Sequence, residues 1–324
     1  MGSLSFSPII SFENITKKFP VRKGFKVQYV HAVRDVSLDV FPGEIISIVG
    51  ESGCGKTTLL RLLSRIYVED EGKIVYGSEI VPKKFKRKEE LEFRRKVQMI
   101  FQDPFSSLNP VKKVHQILGR PLELQKLNNI DERIYEALEE VELTPPKNFI
   151  NKYPHELSGG ERQRVVIARA IITKPSVILA DEPTSMLDVS IRAGIMKLML
   201  KIRDDFNTTY LHVTHDLAAA RYISDRVAVM YAGMLLEECT ADDIVLEPLH
   251  PYTQLLRKAA PDPDRLVSEK LGYTGEVPNL ITPPKGCPFE PRCKYAMKKC
   301  KNFVPPYFRV NKRKVKCFLY EKNN

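Results

Sequence analysis

A glycine-rich loop, Gly-Glu-Ser-Gly-Cys-Gly-Lys-Thr, occupies positions 50–57 of this 324-residue chain. A short apolar run at 44–49 precedes it, and a leucine-rich segment follows from about Lys56. This arrangement predicts a buried parallel strand before the loop and a helix after it. Glycines let backbone N–H groups converge on phosphate oxygens, and the helix N-terminus adds partial positive charge. The flanking strand and helix argue against a chance glycine-rich turn, so we expect a nucleotide-binding α/β fold.

The side chains of this loop have expected roles at a nucleotide. We expect Lys56 to reach the β- and γ-phosphates and the hydroxyl of Thr57 to hold Mg²⁺. The expected nucleotide contacts of the loop are Gly50, Glu51, Ser52, Gly53, Cys54, Gly55, Lys56, Thr57 and Thr58.

The composition and termini narrow the class of protein. With 43% hydrophobic residues the chain can bury a core. No apolar run reaches the roughly eighteen residues of a membrane-spanning helix. Residues 1–6 lack the basic start and apolar run of a signal peptide. We therefore expect a cytoplasmic protein whose association with any membrane is peripheral.

Strands and helices alternate along most of the chain, which predicts a mainly parallel α/β core. Strands are expected at 9–19, 29–40, 97–101, 177–180, 208–213 and 226–231, and helices at 131–141, 161–173 and 217–223. We therefore predict a P-loop ATPase core, with a mainly parallel sheet and an antiparallel β subdomain. This nucleotide-binding domain spans 1–250, with a helical subdomain at about 103–175. Residues 251–324 form a proline-rich linker and a small, irregular Cys-rich C-terminal tail domain.

Polar residues follow three predicted strands. Asp181 and Glu182 come directly after a buried strand, where Asp181 suits Mg²⁺ and Glu182 can polarise an attacking water. The alternative is that the two acids cap a helix. Gln102 follows another strand and can sense the γ-phosphate and Mg²⁺, while His215, after a third, can hydrogen-bond the γ-phosphate. Phosphoryl transfer requires mostly positioning and charge stabilisation, so these residues predict ATP hydrolysis.

A second motif, Leu-Ser-Gly-Gly-Glu at 157–161, precedes a predicted helix. The N-terminus of that helix can face the γ-phosphate of ATP bound to a second subunit. The residues expected to do so are Ser158, Gly159, Gly160 and Glu161. The chain is therefore expected to work as one half of a dimer.

Together these motifs resemble the ATP-binding subunits of ABC transporters, over roughly residues 9–260. The segments 101–110 and 250–253 and the tail cysteines are similar to the oligopeptide/dipeptide importer group, and the loop at 50–57 resembles the second of its two ATPases. The resemblance implies that Phe19 stacks on adenine, with Tyr29 as the alternative. It also implies that Asp188 contributes to the nucleotide site.

The same resemblance implies a set of partners and a task. A paralogous ATPase completes a heterodimer, two transmembrane permease subunits dock on it at the cytoplasmic face of the plasma membrane, and an extracellular solute-binding protein acts indirectly. Segment 103–110 lines the groove for a permease coupling helix. The task is ATP-driven uptake of oligopeptides or dipeptides, with oligosaccharides as another solute class in the group.

The tail carries four cysteines, Cys287, Cys293, Cys300 and Cys317, and residues 283–324 hold twelve Lys or Arg against two Glu. Without a Cys-x-x-Cys pair, an ordinary zinc ribbon is less favoured than an iron–sulfur site, and reduced thiols or disulfides remain open. The resemblance implies a four-iron four-sulfur cluster on these four residues. A basic tail also suits nucleic acid, so a soluble ABC ATPase acting on nucleic acid or ribosomes is the alternative function.

Overall fold

The computed structural model describes residues 7–259 and 278–323. The strands in this part of the chain are β1 (Ile10–Lys23), β2 (Lys26–Val40), β3 (Ile45–Val49), β4 (Glu71–Tyr76), β5 (Glu79–Ile80), β6 (Val97–Ile100), β7 (Val177–Asp181), β8 (Thr209–Thr214), β9 (Arg226–Tyr231), β10 (Met234–Thr240), β11 (Phe308–Val310) and β12 (Arg313–Val315). The α-helices are α1 (Lys56–Leu63), α2 (Arg87–Lys96), α3 (Pro104–Ser107), α4 (Val114–Leu124), α5 (Ile130–Glu140), α6 (Gly159–Ile171), α7 (Val189–Phe206), α8 (Leu217–Ile223), α9 (Asp243–Leu246), α10 (Pro251–Ala259) and α11 (Lys298–Asn302). Short 3-10 helices lie at Pro146–Asn148, Pro154–Glu156, Glu290–Arg292 and Phe318–Asn323. None of the helices in the described ranges is long and apolar enough to cross a membrane.

The chain divides into two compact units. Of the described residues, unit 1 comprises 7–41, 45–81, 214–259 and 278–323, and unit 2 comprises 42–44 and 82–213. The described tail residues thus belong to the same unit as the loop at 50–57. The division into domains at 1–250 and 251–324 stays a prediction.

Unit 1 contains a four-stranded antiparallel sheet in the order β2-β1-β4-β5. Its long hairpin pairs Ile10 with Val40 at one end and Lys23 with Lys26 at the other. The turn of the hairpin therefore lies at residues 24–25, where Gly24 adopts a φ of +62° that glycine tolerates. Ile10 and Phe12 at the start of β1 are buried, and the alternation is interrupted at the exposed Asn14, where the register of the hairpin shifts.

The other strands of unit 1 run in the order β11-β12-β10-β9-β3. β3 lies parallel to β9, and the remaining neighbours are antiparallel. β12 joins β10 through Glu237 opposite Val315 and Glu238 opposite Lys314. The prediction of an irregular tail missed this hairpin, because its two strands have three residues each and too few positions to show an alternating pattern.

Unit 2 contains three parallel strands in the order β8-β7-β6 together with helices α2 to α7. β7 is buried along its whole length, as expected of a central parallel strand. Helices α3 to α6 lie within the predicted helical region at 103–175. The prediction of an α/β core with a helical portion is confirmed in these elements.

Candidate active site

The loop at 50–57 joins β3 to α1 in unit 1 and depends on close backbone packing. A Cβ at Gly50 would lie 2.1 Å from the carbonyl oxygen of Met230. At Gly55, where φ is +111°, a Cβ would lie 2.2 Å from the carbonyl oxygen of Ala32. Only glycine fits either position, so the sequence of the loop is dictated by its backbone path. This glycine cradle followed by a helix N-terminus suits a nucleotide phosphate.

Lys56 is buried and its side chain lies along the loop. Its Nζ donates to the carbonyl oxygens of Gly50, at 2.7 Å, and Glu51, at 3.0 Å. Cys54 is also buried, and this burial raises the pKa of its thiol. The positive charge of Lys56 is thus held at the loop beside a neutral thiol.

In unit 2, Asp181 and Glu182 emerge from β7 as predicted. Asp181 is 2% exposed, and Glu182 adopts a φ of +44°, which is rare for a residue with a side chain. The Glu182 amide donates to the carbonyl oxygen of Val213, at 2.9 Å, and its carbonyl accepts from the Ser185 hydroxyl, at 3.0 Å. These contacts hold the strained backbone, and such strain is concentrated at functional sites.

Gln102 and Glu182 meet within unit 2. The side-chain amide Nε2 of Gln102 lies 3.3 Å from Oε2 of Glu182. The helix after these acids is α7, which begins at Val189 with Asp188 as its N-cap residue. The alternative that Asp181 and Glu182 cap a helix is therefore wrong.

His215 follows the end of β8, as predicted, and its side chain is exposed. The turn around it is tight. The amide of Asp216 donates to the Thr214 hydroxyl, at 3.0 Å, and the Asp216 carboxylate accepts from the amides of Ala218 and Ala219 to cap α8. This turn fixes the backbone of His215 just before α8.

The segment 157–161 forms the start of α6, with Gly159 as its first residue. Ser158 Oγ accepts from the amide of Glu161, at 3.3 Å, and Glu161 Oε2 accepts from the amide of Ser158, at 2.8 Å. The hydrogen bond from Ser158 lowers the pKa of Glu161. Gly160 is buried, and a Cβ there would lie 3.0 Å from Ile191. The carboxylate of Glu161 is thus engaged by its own helix, while Ser158 is exposed.

The two candidate adenine contacts lie on the long hairpin of unit 1. Phe19 is partly buried, and its ring packs edge-on against that of Tyr67, with centroids 5.0 Å apart. Tyr29 lies on the neighbouring strand and is 51% exposed. The role of Phe19 stays a prediction.

Two residues at the loop were missed by the sequence reasoning. The hydroxyl of Tyr252 accepts from the amide of Glu51, at 2.9 Å. Arg292 forms two hydrogen bonds with the Glu51 carboxylate, each 3.0 Å long. The segment 250–253 was noted in the sequence, but no local pattern predicts a contact with a loop two hundred residues earlier.

Comparison with known families decides the identity of this site. Residues 33–185 match the family described as ABC transporter, and residues 236–300 match the C-terminal region of the oligopeptide/dipeptide transporter family. The oligopeptide transport ATP-binding protein AppF of Bacillus subtilis is 41% identical over 316 residues, which cover 95% of each chain. The chain belongs to the ATP-binding subunits of ABC transporters. As such it is an ATPase, and ATP and Mg²⁺ fit its site.

Two further comparisons agree. The dipeptide transport ATP-binding protein DppF of Haemophilus influenzae is 40% identical to the ABC subunit over 303 residues, 92% of each chain. Among solved structures, a dimeric ATP-binding cassette, MJ0796 bound to ADP and Pi, is 31% identical with a TM-score of 0.62, covering 72% of this chain and 98% of that chain. These relatives give no support to the alternative of an ATPase acting on nucleic acid.

The predicted four-iron four-sulfur cluster at Cys287, Cys293, Cys300 and Cys317 is wrong. In residues 7–259 and 278–323, which include all four cysteines, no group of three or more His, Cys, Asp or Glu is placed to hold a metal. The similar proteins are ATP-binding transport proteins. Burial raises the pKa of Cys287 to about 12 and that of Cys317 to about 11. All four tail cysteines are free, and they pack in apolar clusters of unit 1 as small hydrophobic side chains do.

The basic tail finds its countercharge in carboxylates of unit 1. Arg292 pairs with Glu51, and the ammonium of Lys314 lies 3.1 Å from Glu238. Arg313 also pairs with Glu247, and Lys299 pairs with Glu321. These four basic residues of the tail are thus paired with carboxylates of the protein itself.

Proposed function

We propose that this ABC subunit hydrolyses ATP to energise the uptake of oligopeptides or dipeptides across the plasma membrane. The single observation that carries the substrate class is the match of residues 236–300 to the C-terminal region of oligopeptide/dipeptide transporters. AppF and DppF, whose names specify oligopeptide and dipeptide transport, support the same class.

In the ATPase reaction, Glu182 polarises the attacking water and Gln102 orients its carboxylate. The strained backbone at Glu182 and the 3.3 Å contact support these roles. His215 hydrogen-bonds the γ-phosphate, and Lys56 places its charge at the β- and γ-phosphates. Thr57, Asp181 and Gln102 are the residues that would hold Mg²⁺, which would neutralise phosphate charge during the transfer. The remaining nucleotide contacts are Phe19 at adenine and the amides of loop 50–58.

A paralogous ATPase completes the site as the second half of a heterodimer. Ser158 and Asp188 are exposed where α6 and α7 begin, so both are open to another subunit. Met186, two residues before Asp188, is 56% exposed, and Val189, directly after Asp188, is 80% exposed. Exposed apolar side chains beside polar helix starts suit a surface that is covered on dimerisation. The dimeric state of the similar cassette supports this arrangement.

The docking surface for a permease lies in unit 2, around segment 103–110. The side chain of Phe105 is 59% exposed, and a groove nearby is lined by Ser107, Asn109, His115, Arg120 and Arg169, among others. We assign this groove to a coupling helix from one of two transmembrane permeases. The subunit then lies peripherally on the cytoplasmic face, and an extracellular solute-binding protein delivers the peptide.

The C-terminal residues form a functional region of their own. We assign residues 1–250 to the nucleotide-binding domain and residues 251–324 to a Cys-rich C-terminal domain. The separate family match at 236–300 supports a region that is not shared with every ABC ATPase.

The test is uptake of labelled peptides by cells of the source organism that lack this chain. We expect the wild-type gene to restore uptake of a labelled dipeptide or tetrapeptide, and the matched Glu182→Gln variant to restore none. Restored uptake of a labelled oligosaccharide, without peptide uptake, would overturn the substrate class. A pull-down of the tagged subunit from membranes in mild detergent identifies the partners. We expect a second ATPase and two permeases, and recovery of ribosomal proteins instead would contradict the importer.

A further inference from the structure

The C-terminal region of the ABC subunit contacts its phosphate loop through Glu51. We propose that Arg292 is a positioning residue for this loop, which sets the affinity for ATP by holding and neutralising Glu51. The inference rests on the proposed nucleotide site at 50–57. It assigns the C-terminal region a part in ATP binding.

The contact between Arg292 and Glu51 has the geometry of a strong ion pair. Nη1 and Nη2 of Arg292 each lie 3.0 Å from a different oxygen of the Glu51 carboxylate. The two side chains are 14% and 28% exposed, respectively. Two parallel charged hydrogen bonds fix both distance and orientation, and partial burial limits screening by salt. The hydrogen bonds to Glu51 also raise the pKa of Arg292, so the guanidinium keeps its charge.

The guanidinium is itself held in place by aromatic residues of unit 1. Nη1 of Arg292 lies 3.3 Å from the hydroxyl of Tyr231. The centre of the guanidinium lies 5.8 Å from the ring centroid of Tyr231 and 5.7 Å from that of Phe289. Phe289 is fully buried. Tyr231 and Phe289 therefore orient the guanidinium of Arg292 independently of Glu51. Because the side chain is already ordered, little of its conformational entropy is lost when the ion pair with Glu51 forms.

A second contact from the same region holds the backbone at Glu51. Its amide donates to the hydroxyl of Tyr252, at 2.9 Å, and Tyr252 packs on Tyr231 with ring centroids 4.5 Å apart. Both the side chain and the amide of Glu51 are thus engaged by residues that follow position 250. The start of the phosphate loop is held from outside the loop.

The charge of Glu51 gives this clamp a consequence for ATP. Glu51 is the second residue of the loop, and its carbonyl accepts from Lys56 at 3.0 Å. An unpaired carboxylate here would repel the phosphates of ATP and compete for the ammonium of Lys56. Arg292 removes the negative charge from the field of the loop, because it binds both carboxylate oxygens.

The experiment measures the affinity of the full-length chain for ATP by calorimetry without Mg²⁺, and KM and kcat in the purified transporter complex. We expect Arg292→Ala to weaken ATP binding and raise KM about fivefold, as expected for losing a partly exposed bidentate pair, with kcat within about twofold of wild type. Arg292→Lys keeps the charge without the fork, so it should restore part of the affinity. Arg309→Ala is the matched control, because Arg309 is an exposed tail arginine on β11.

A double-mutant cycle tests whether Arg292 affects ATP binding through Glu51 or only by stabilising the C-terminal region. In the Glu51→Ala background, Arg292→Ala should leave the affinity for ATP unchanged, since no carboxylate remains to neutralise. An equal loss of affinity in both backgrounds, or no loss in either, would overturn the inference. If Arg292→Ala fails to fold, Arg292→Lys and Glu51→Ala still complete the comparison. Lys56→Ala separates a failure of this inference from a failure of the proposed nucleotide site. Unchanged ATP binding in that variant would contradict the nucleotide site at 50–57 itself.

Discussion

The side-chain amide of Gln102 lies 3.3 Å from the carboxylate of Glu182, across eighty positions of the chain. The register of two parallel strands brings them together. Ile100 in β6 lies opposite Ala180 in β7, so the residues that follow both strands emerge at one edge of the sheet. Because β6 and β7 are hydrogen-bonded neighbours in one sheet, this contact links the proposed general base to the end of both strands.

The first prediction concerns Glu182. Glu182→Gln keeps the shape and loses the carboxylate that polarises water, so ATP hydrolysis should fall by about 10² to 10³-fold while ATP still binds. Phosphate release measures the first effect, and calorimetry measures the second. With its partner ATPase present, the variant should remain as an ATP-bound dimer in size-exclusion chromatography. Normal turnover in that preparation would contradict the role of Glu182.

The second prediction concerns the amide of Gln102. Gln102→Ala removes the hydrogen bond that orients Glu182, so kcat should fall about tenfold, the equivalent of one hydrogen bond in the transition state. Gln98→Ala, four residues earlier on β6, is the control, since the Gln98 side chain bonds to the carbonyl oxygen of Arg94 instead. Equal rates for the two variants would show that Gln102 has no part in hydrolysis.

The third prediction concerns the glycine cradle. Gly55→Ala places a Cβ 2.2 Å from the carbonyl oxygen of Ala32 at a φ of +111°, so the free energy of unfolding should fall by about 3 kcal/mol or more and ATP binding should be lost. Gly77 has a φ of +62° with open space around its Cβ position. Gly77→Ala should therefore cost about 1–2 kcal/mol and leave ATP binding intact. Urea unfolding measures the loss of stability in the two variants, and calorimetry measures their ATP binding. Equal effects of Gly55→Ala and Gly77→Ala would show that the positive φ, and not the close approach to Ala32, requires glycine at position 55.

The fourth prediction is a pH dependence of stability at His250. Burial lowers the pKa of His250 to about 3, from 6.5 in the unfolded chain. Between these values the unfolded chain binds a proton that the folded chain does not. The free energy of unfolding therefore falls as the pH falls below 6.5, by about 1.4 kcal/mol per pH unit.

His250→Asn tests this dependence. The asparagine oxygen can replace Nδ1 of His250, which accepts from the amide of Tyr252 at 3.0 Å, but it does not titrate. As the pH falls from 6.5 to 4.5, the free energy of unfolding of the wild type should therefore decrease steadily relative to that of the variant. Glu237, which binds the amide of His250, is present in both proteins, so the comparison isolates the imidazole. His155→Asn is the control, because the side chain of His155 is exposed. If the free energy of unfolding of His250→Asn and of the wild type changed with pH in parallel, the prediction would be refuted.

Much of the candidate site was predictable because its signals are local. The loop at 50–57 needs glycines at fixed places, and β7 needs an apolar run that ends in acids, so both can be recognised in a few consecutive residues. The order of the motifs then identified the family. The cysteine tail was misjudged for the converse reason. Spacing and composition cannot report that Cys287 and Cys317 are buried in apolar clusters, and that packing is decided by distant segments of the chain.

The sequence by itself determined the ATPase core, the phosphate loop and the strand-end positions of Glu182 and His215, because backbone geometry dictates these over short stretches. Only the tertiary structure decided that Arg292 binds Glu51, 241 positions away, and that the tail hairpin joins β10. Such contacts depend on where distant segments pack, and the free energy of each pair depends on burial and on neighbouring charges. A linear pattern carries neither quantity, so these contacts emerge only when the chain is folded.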